Sequence, residues 1–159
     1  MAGISAAEAT ARLEATPADD VDVDALCEGW YDVPDADRIV GITDVPGGCV
    51  ITQPWGHAAC TPGLCRRVST DTVCYSMNSN PKGLFGHLAR DGEVIAWEPV
   101  SAFMVPTDAP TEEILSAYLY RDRHPAYCCA GAGLRLTDAR PITDPPGAWI
   151  RLPERDFWA

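Results

Sequence analysis

The stretch Leu84–Val100, LFGHLARDGEVIAWEPV, decides the fold. Two runs rich in aliphatic and aromatic residues flank Asp91-Gly92, a dipeptide that favours a tight type I′ turn. The segment reads as an antiparallel hairpin. Along its first arm, alternation puts Leu84, Gly86 and Leu88 on one face and Phe85, His87 and Ala89 on the other.

Upstream, TDTVCYSM (residues 70–77) reads as another strand and NSNPKG (78–83) as the turn after it. Asn and Gly in NSNPKG are explained by turn chemistry, and its lone lysine, Lys82, is no evidence for a Schiff base. RIVGITDV, PGG and CVITQPW (38–55) form a second hairpin with turn residues between two β-rich runs. The intervening TPGLCRRVS (61–69) reads as a short helix, with Thr61 as cap and Pro62 at the first helical position.

At the N-terminal end, Ser5 with Glu8 three residues later has the capping-box arrangement, and Pro17 closes that short helix. VDALCEGWY (23–31) allows one further helical turn or two. Downstream, TEEILSAYLYRDR (111–123) predicts a helix capped by Thr111. Glu112 and Glu113 lie in its first turn, Arg121 and Arg123 in its last, and His124-Pro125 ends it. AYCCAGAGL (126–134) permits a second helix of small residues, and AWIRLP (148–153) an edge strand. The expected class is α+β: an antiparallel sheet of five to six strands packed on two C-terminal helices, with a short N-terminal helix. One domain is expected over residues 1–159, with 1–37 as an acidic helix and loop and 38–159 as the sheet and helix core.

Bulk properties narrow the function. No apolar run approaches the ~18 residues of a membrane span, and the first residues lack the pattern of a signal peptide, so a cytoplasmic protein without membrane contact is expected. Of the net charge of −11, residues 1–45 carry −9. Residues 17–37 hold eight acids and no base. Such a surface repels nucleic acid and attracts a basic protein partner; the plainer account is a solvated, solubilising segment. Asp19, Asp20, Asp22 and Asp24, beside the aromatic anchors Trp30 and Tyr31, are the candidate partner-binding residues.

Seven cysteines are too few for a disulfide-built scaffold, and the odd number leaves one over in any full pairing. Most lie among apolar neighbours, as small buried hydrophobes do. WGHAACTPGLCRR (55–67) is the exception that gathers a histidine and two cysteines. If Thr61 caps the helix, Cys60 and Cys65 take the two positions that touch in a hydrophobic staple. The spacing therefore has a structural account alongside two chemical ones. One is a reactive or oxidisable pair, with Cys60 activated near the helix start if exposed. The other is half of a metal site, for which the second half is not visible. No metal or cofactor is therefore expected. For an enzyme, His57, Cys60, Cys74 and His87 are the candidate catalytic residues, His87 as acid or base in a sheet-lined pocket. No catalytic triad or phosphate-cradling loop is legible.

The blocks GGCVITQPWGHA, TVCYSMNSNPKG, ILSAYLYRDRHPAYCCAGAGL and WIRLPERDFW together resemble a family of uncharacterised actinobacterial domains that carry GGCV-QPWG, NPK and AYLYR-AYxCAxAGL blocks. The resemblance covers roughly residues 38–158 and implies scaffold roles for Gly48, Pro54, Trp55, Gly56, Asn80, Pro81, Tyr118 and Tyr120. It implies no activity. The chain departs from it at His57, where the family has an aromatic, and at Cys60, Cys65 and Cys128. Two functions follow as expectations. The preferred one is a non-catalytic, immunity-type or regulatory interaction protein whose acidic surface recognises a basic partner. The alternative is a small specialised-metabolism enzyme or thiol-dependent protein with a pocket between the sheet and the C-terminal helices.

Overall fold

The structure, a computed structural model, describes residues 1–29, 33–80, 83–99, 128–129, 132–134 and 140–157. Asp91 and Gly92 have φ of 52° and 81°, the positive pair a type I′ turn requires. The turn joins β5 (Gly83–Arg90) to β6 (Glu93–Pro99), and β5 pairs on its other side with β4 (Val73–Asn80). Backbone bonds dock the turn: Asp91 N–H donates to the Thr72 carbonyl at 3.1 Å and Gly92 N–H to the Ser69 carbonyl at 3.2 Å. A bulge interrupts β6. Leu88 faces Ala96 and Ala89 faces Val94, so Ile95 has no partner on β5 and stands 56% exposed.

The second hairpin forms as expected from β2 (Ile39–Val45) and β3 (Gly48–Thr52), but it does not extend the first. It belongs to a separate four-stranded antiparallel sheet of order β1-β7-β2-β3, where β1 is Thr16–Pro17 and β7 is Ala148–Arg151. The single sheet of five to six strands is thus corrected to two antiparallel sheets, of four and three strands. Nor is AWIRLP an edge: β7 pairs with β1 on one side and β2 on the other. Strand periodicity fixes which residues share a face but not which hairpin continues which sheet. The segment between β3 and β4 carries a helix, and the chain changes sheets across it.

Three of the helices lie early in the chain. In α1 (Ala6–Arg12) the Ser5 hydroxyl accepts from Glu8 N–H at 3.1 Å, as the capping pattern requires. The acidic stretch contains α2 (Val23–Glu28), capped by Asp22, whose carboxylate accepts from Ala25 N–H at 3.0 Å. Next come a 3₁₀ turn (Ala58–Cys60) and α3 (Pro62–Val68); α4 (Arg140–Thr143) precedes β7. The helix expected at 111–123 lies outside the described residues, as do Trp30, Tyr31, Lys82 and His124. Of the one expected at 126–134, Cys128 and Cys129 are helical.

The main core joins both sheets. Val40 and Ile42 of β2, Cys49 of β3 and Ile150 of β7 pack with Leu13 after α1 and with Leu64 and Val68 of α3; Cys74 and Ala89 close it from the three-stranded sheet. The other face of β2 turns Ile39 onto Leu26 of α2 and Ala18. Cover on both faces explains why β2 begins as a continuous apolar run rather than an alternation. Leu26 and Ile39 are both fully buried, each burial stabilising by about 1.5–3 kcal/mol. Gly63 anchors the end of the chain: its N–H donates to the Phe157 carbonyl at 2.9 Å, and a Cβ there would collide with that same carbonyl. Among the described residues no helix is long and apolar enough to cross a membrane.

Candidate functional site

Pro62 at the first helical position starts α3, and the helix carries Cys65 inward, 3% exposed. Thr61 stands at the cap position without capping; its hydroxyl donates to the His57 carbonyl at 2.8 Å, stitching the 3₁₀ turn to the helix. Facing α3 is the β4–β5 pair. Cys74 lies opposite Ala89 and Ser76 opposite His87, so the period of two puts all four on one face. Cys65 Sγ meets that face 3.6 Å from Ser76 Oγ, to which it donates.

The Ala59 carbonyl organises the far side. It lies 3.2 Å from His87 Nδ1 and 3.9 Å from Cys65 Sγ. A carbonyl only accepts, so Nδ1 carries a hydrogen toward it and the other ring nitrogen is the one able to take a proton. Ser76 also fixes the strand position of His87, its hydroxyl accepting from His87 N–H at 3.2 Å. The imidazole is thus oriented by backbone at Nδ1, on the strand face that Cys65 meets.

The electrostatics follow from these contacts. Hydrogen bonding with Cys74 is the first cause that holds the Cys65 thiol well below its ordinary range; His87 and Ser76 add to it, and together they outweigh burial. Cys74, which donates to that sulfur and is itself buried, is pushed well above the ordinary range. His87 is raised by its hydrogen bond to Cys65, with the Ala59 carbonyl assisting, against the opposing cost of burial. The pair is therefore biased toward thiolate and imidazolium, with Cys74 kept as a thiol.

The site borders a cavity of about 810 Å³ between the edge strands β3 and β4. Val40, Ile51, Leu64, Val68 and Leu134 line it together with Cys65, Cys74 and Ser76, and Asp37, Gln53, His57 and Asn78 add further polar groups. Among the described residues no group of three or more metal-ligating side chains is arranged to hold an ion. All seven cysteines are thiols.

Of the four catalytic candidates, the fold brings Cys74 and His87 together. Cys60 is buried and its thiol is pushed up, by burial first and the neighbouring Cys65 second, so the helix start does not activate it. His57 is exposed and serves through its backbone, accepting from Thr61 and from Cys60 N–H at 2.9 Å. The residue the candidate set lacks is Cys65. Its one legible signal is the pattern Thr-Pro-x-x-Cys, which makes it helical and inward-facing but does not say which strand it meets.

The acidic candidates divide differently. Asp20 forms an ion pair with Arg151 at 3.1 Å, and Asp22 is occupied as the α2 cap. Asp19 and Asp24 remain exposed. What these features define is an α+β protein of two antiparallel sheets with a cysteine–histidine site at the seam between them. No protein-family model, no curated protein and no solved structure matches the chain.

Proposed function

We propose that this is a thiol-dependent protein, acting in a reducing compartment such as the cytoplasm on a small ligand held between its sheets. Cys65 is the nucleophile and His87 its proton partner. One observation carries the reading: Cys65 Sγ lies 3.6 Å from Ser76 Oγ, on the strand face that Cys74 and His87 share, at the wall of a cavity of about 810 Å³. The thiolate attacks an electrophilic atom of the ligand, and the imidazolium protonates the group that leaves. Two opposite charges formed by one proton transfer keep the buried pair neutral overall, which limits the cost of burial. The test is alkylation of the native chain with iodoacetamide at about pH 6, well below the ordinary thiol value of about 8.5. Peptide mass spectrometry is expected to find Cys65 labelled ahead of the exposed Cys27, and His87→Ala to slow that labelling. No label on Cys65 at any pH where Cys27 reacts would overturn the reading.

A second reading, an interaction protein with an acidic surface for a basic partner, has its own support. α2 buries Leu26 alone and leaves Asp24, Cys27 and Glu28 exposed, with Asp19 exposed just before it. Partner capture is then expected to weaken steeply with salt and in an Asp19→Asn, Asp24→Asn variant; salt-insensitive capture rules it out.

A further inference from the structure

The cavity between the sheets has a neighbour. It meets a second recess of about 620 Å³, and Asp37, His57, Ala58, Leu64 and Leu152 line both. Away from that junction the cavity is walled by buried Leu13, Val40 and Val68. At the junction Asp37 and His57 are exposed. A gradient of this kind accommodates an amphiphile, its carbon body inward and one polar end at the junction.

The groups still available at the junction decide which polar end. The Gln53 amide is used twice: Nε2 donates to the Asp37 carbonyl at 2.7 Å, and Oε1 accepts from Ala58 N–H at 2.9 Å. The Trp55 indole N–H is spent on the Leu26 carbonyl, and Asn78 Nδ2 donates to the Gly56 carbonyl at 3.4 Å. Arg38 and Arg155, the two guanidinium groups of the recess, are held by Asp35 at 2.6 Å and by Glu14 at 2.8 Å. The Asp37 carboxylate has no ion-pair or hydrogen-bond partner among the described residues, and exposed Glu154 adds a second carboxylate to the same recess. The charge left at the junction is negative.

We propose that the cavity binds an apolar organic cation, an amine whose aliphatic or aromatic body lies between the sheets and whose ammonium group faces Asp37. This rests on the cavity being the ligand site of the preceding section; it names the ligand's chemistry. A carboxylate of the same length would set its charge against Asp37 and Glu154, and an alcohol would gain nothing from either. The two parts of the ligand contribute unequally. Each methylene buried raises affinity by about fourfold, whereas an exposed ion pair is worth about two- to fivefold. The body therefore sets the affinity, and the ammonium sets the choice among ligands of equal length.

The test titrates the full chain calorimetrically, at low salt, with hexylammonium, octylammonium, octanol and octanoate. Octylammonium is expected to bind more tightly than hexylammonium, by up to about sixteenfold. It is expected to exceed octanol by about two- to fivefold, with octanoate the weakest. Asp37→Asn weakens octylammonium by that same factor and leaves octanol unchanged. Glu93→Gln removes an exposed acid outside both cavities and leaves the preference intact, which separates Asp37 from the general pull of a chain of net charge −11. Octanoate binding as tightly as octylammonium, a preference untouched by Asp37→Asn, or affinity independent of chain length overturns the assignment. Cys65 alkylation at about pH 6 is read in parallel. If Cys65 alkylates and octylammonium does not bind, the cation site fails and the nucleophile stands. If octylammonium binds with the expected preference and Cys65 stays unlabelled, the nucleophile fails and the cation site stands.

Discussion

Replacing Cys74 with alanine tests whether a hydrogen bond from it is the first cause of the lowered Cys65 thiol, and leaves His87 and Ser76 in place. A hydrogen bond to a charged group stabilises by roughly 1.5–3 kcal/mol, and about 1.4 kcal/mol is tenfold in an equilibrium. On the rising limb of its titration, the thiolate fraction of Cys65 therefore falls by about ten- to a hundredfold at fixed pH. Intrinsic nucleophilicity moves the other way, because a less stabilised thiolate attacks faster, returning roughly 0.4–0.5 of the loss on a logarithmic scale. The net expectation is iodoacetamide labelling of Cys65 about three- to tenfold slower on the rising limb and faster on the high-pH plateau, so the two profiles cross. Rate against pH, read by peptide mass spectrometry on variants of matched melting temperature, measures this. Ser76→Ala, whose hydroxyl is 3.6 Å from the sulfur, is expected to shift the profile in the same direction by less. A Cys74→Ala profile that superimposes on the parent, or is slowed equally at all pH, refutes the hydrogen bond as the source of activation.

Three further predictions concern the frame that holds the site. Gly63→Ala drives a Cβ into the Phe157 carbonyl and is expected to cost about 1–3 kcal/mol, read as a lower urea midpoint; an unchanged midpoint means the C-terminal segment is not docked on α3. Trp55→Phe removes the indole N–H that donates to the Leu26 carbonyl at 2.7 Å and is expected to destabilise by about 0.5–1.5 kcal/mol in the same assay. Glu14 bridges Arg155 and Arg67, and their hydrogen bonds depress its carboxyl below the ordinary 4.5. Its contribution is thus complete above that value and lost as pH falls through the lower folded value; urea midpoints of Glu14→Gln and the parent should differ at neutral pH and converge in acid.

Local signals carried most of the elements. Asp91-Gly92, Ser5 with Glu8, and Pro62 each act within four residues, and the structure has the turn, the cap and the helix start where those residues put them. The alternation of β5 likewise placed His87 and Ala89 on one face, and both are buried. The grouping of hairpins into two sheets was not legible, because it depends on β7 reaching back from residue 148 to pair with β2. Nor was β1, a two-residue pairing that exists only because β7 is there to receive it. The site failed at the same scale. Cys74 and His87 were nameable from their strands. Cys65 was hidden by a good local reason to be a small buried residue, the same reason that holds for Cys60. Only the docking of α3 on β4 and β5 tells the two apart, setting Cys65 against Ser76, Cys74 and His87 and leaving Cys60 desolvated.

That contrast also bears on how this fold makes a thiol reactive. Seven cysteines share the chain, and burial alone pushes a thiol up, as at Cys49, which it raises to about 11. Burial is therefore the default, and it makes a cysteine inert. Cys65 departs from it through three neighbours that come from β4 and β5, while α3 contributes the sulfur alone. Sequence neighbours of Cys65 do not supply the activation, and moving the same motif to another helix would not carry it along. The reactive unit is the register of β4 on β5, Ser76 opposite His87 and Cys74 opposite Ala89, together with the Ala59 carbonyl that orients the imidazole. A one-residue slip of that register would turn Ser76 and Cys74 to the opposite face and leave Cys65 without two of its three polar neighbours, buried and as inert as Cys49.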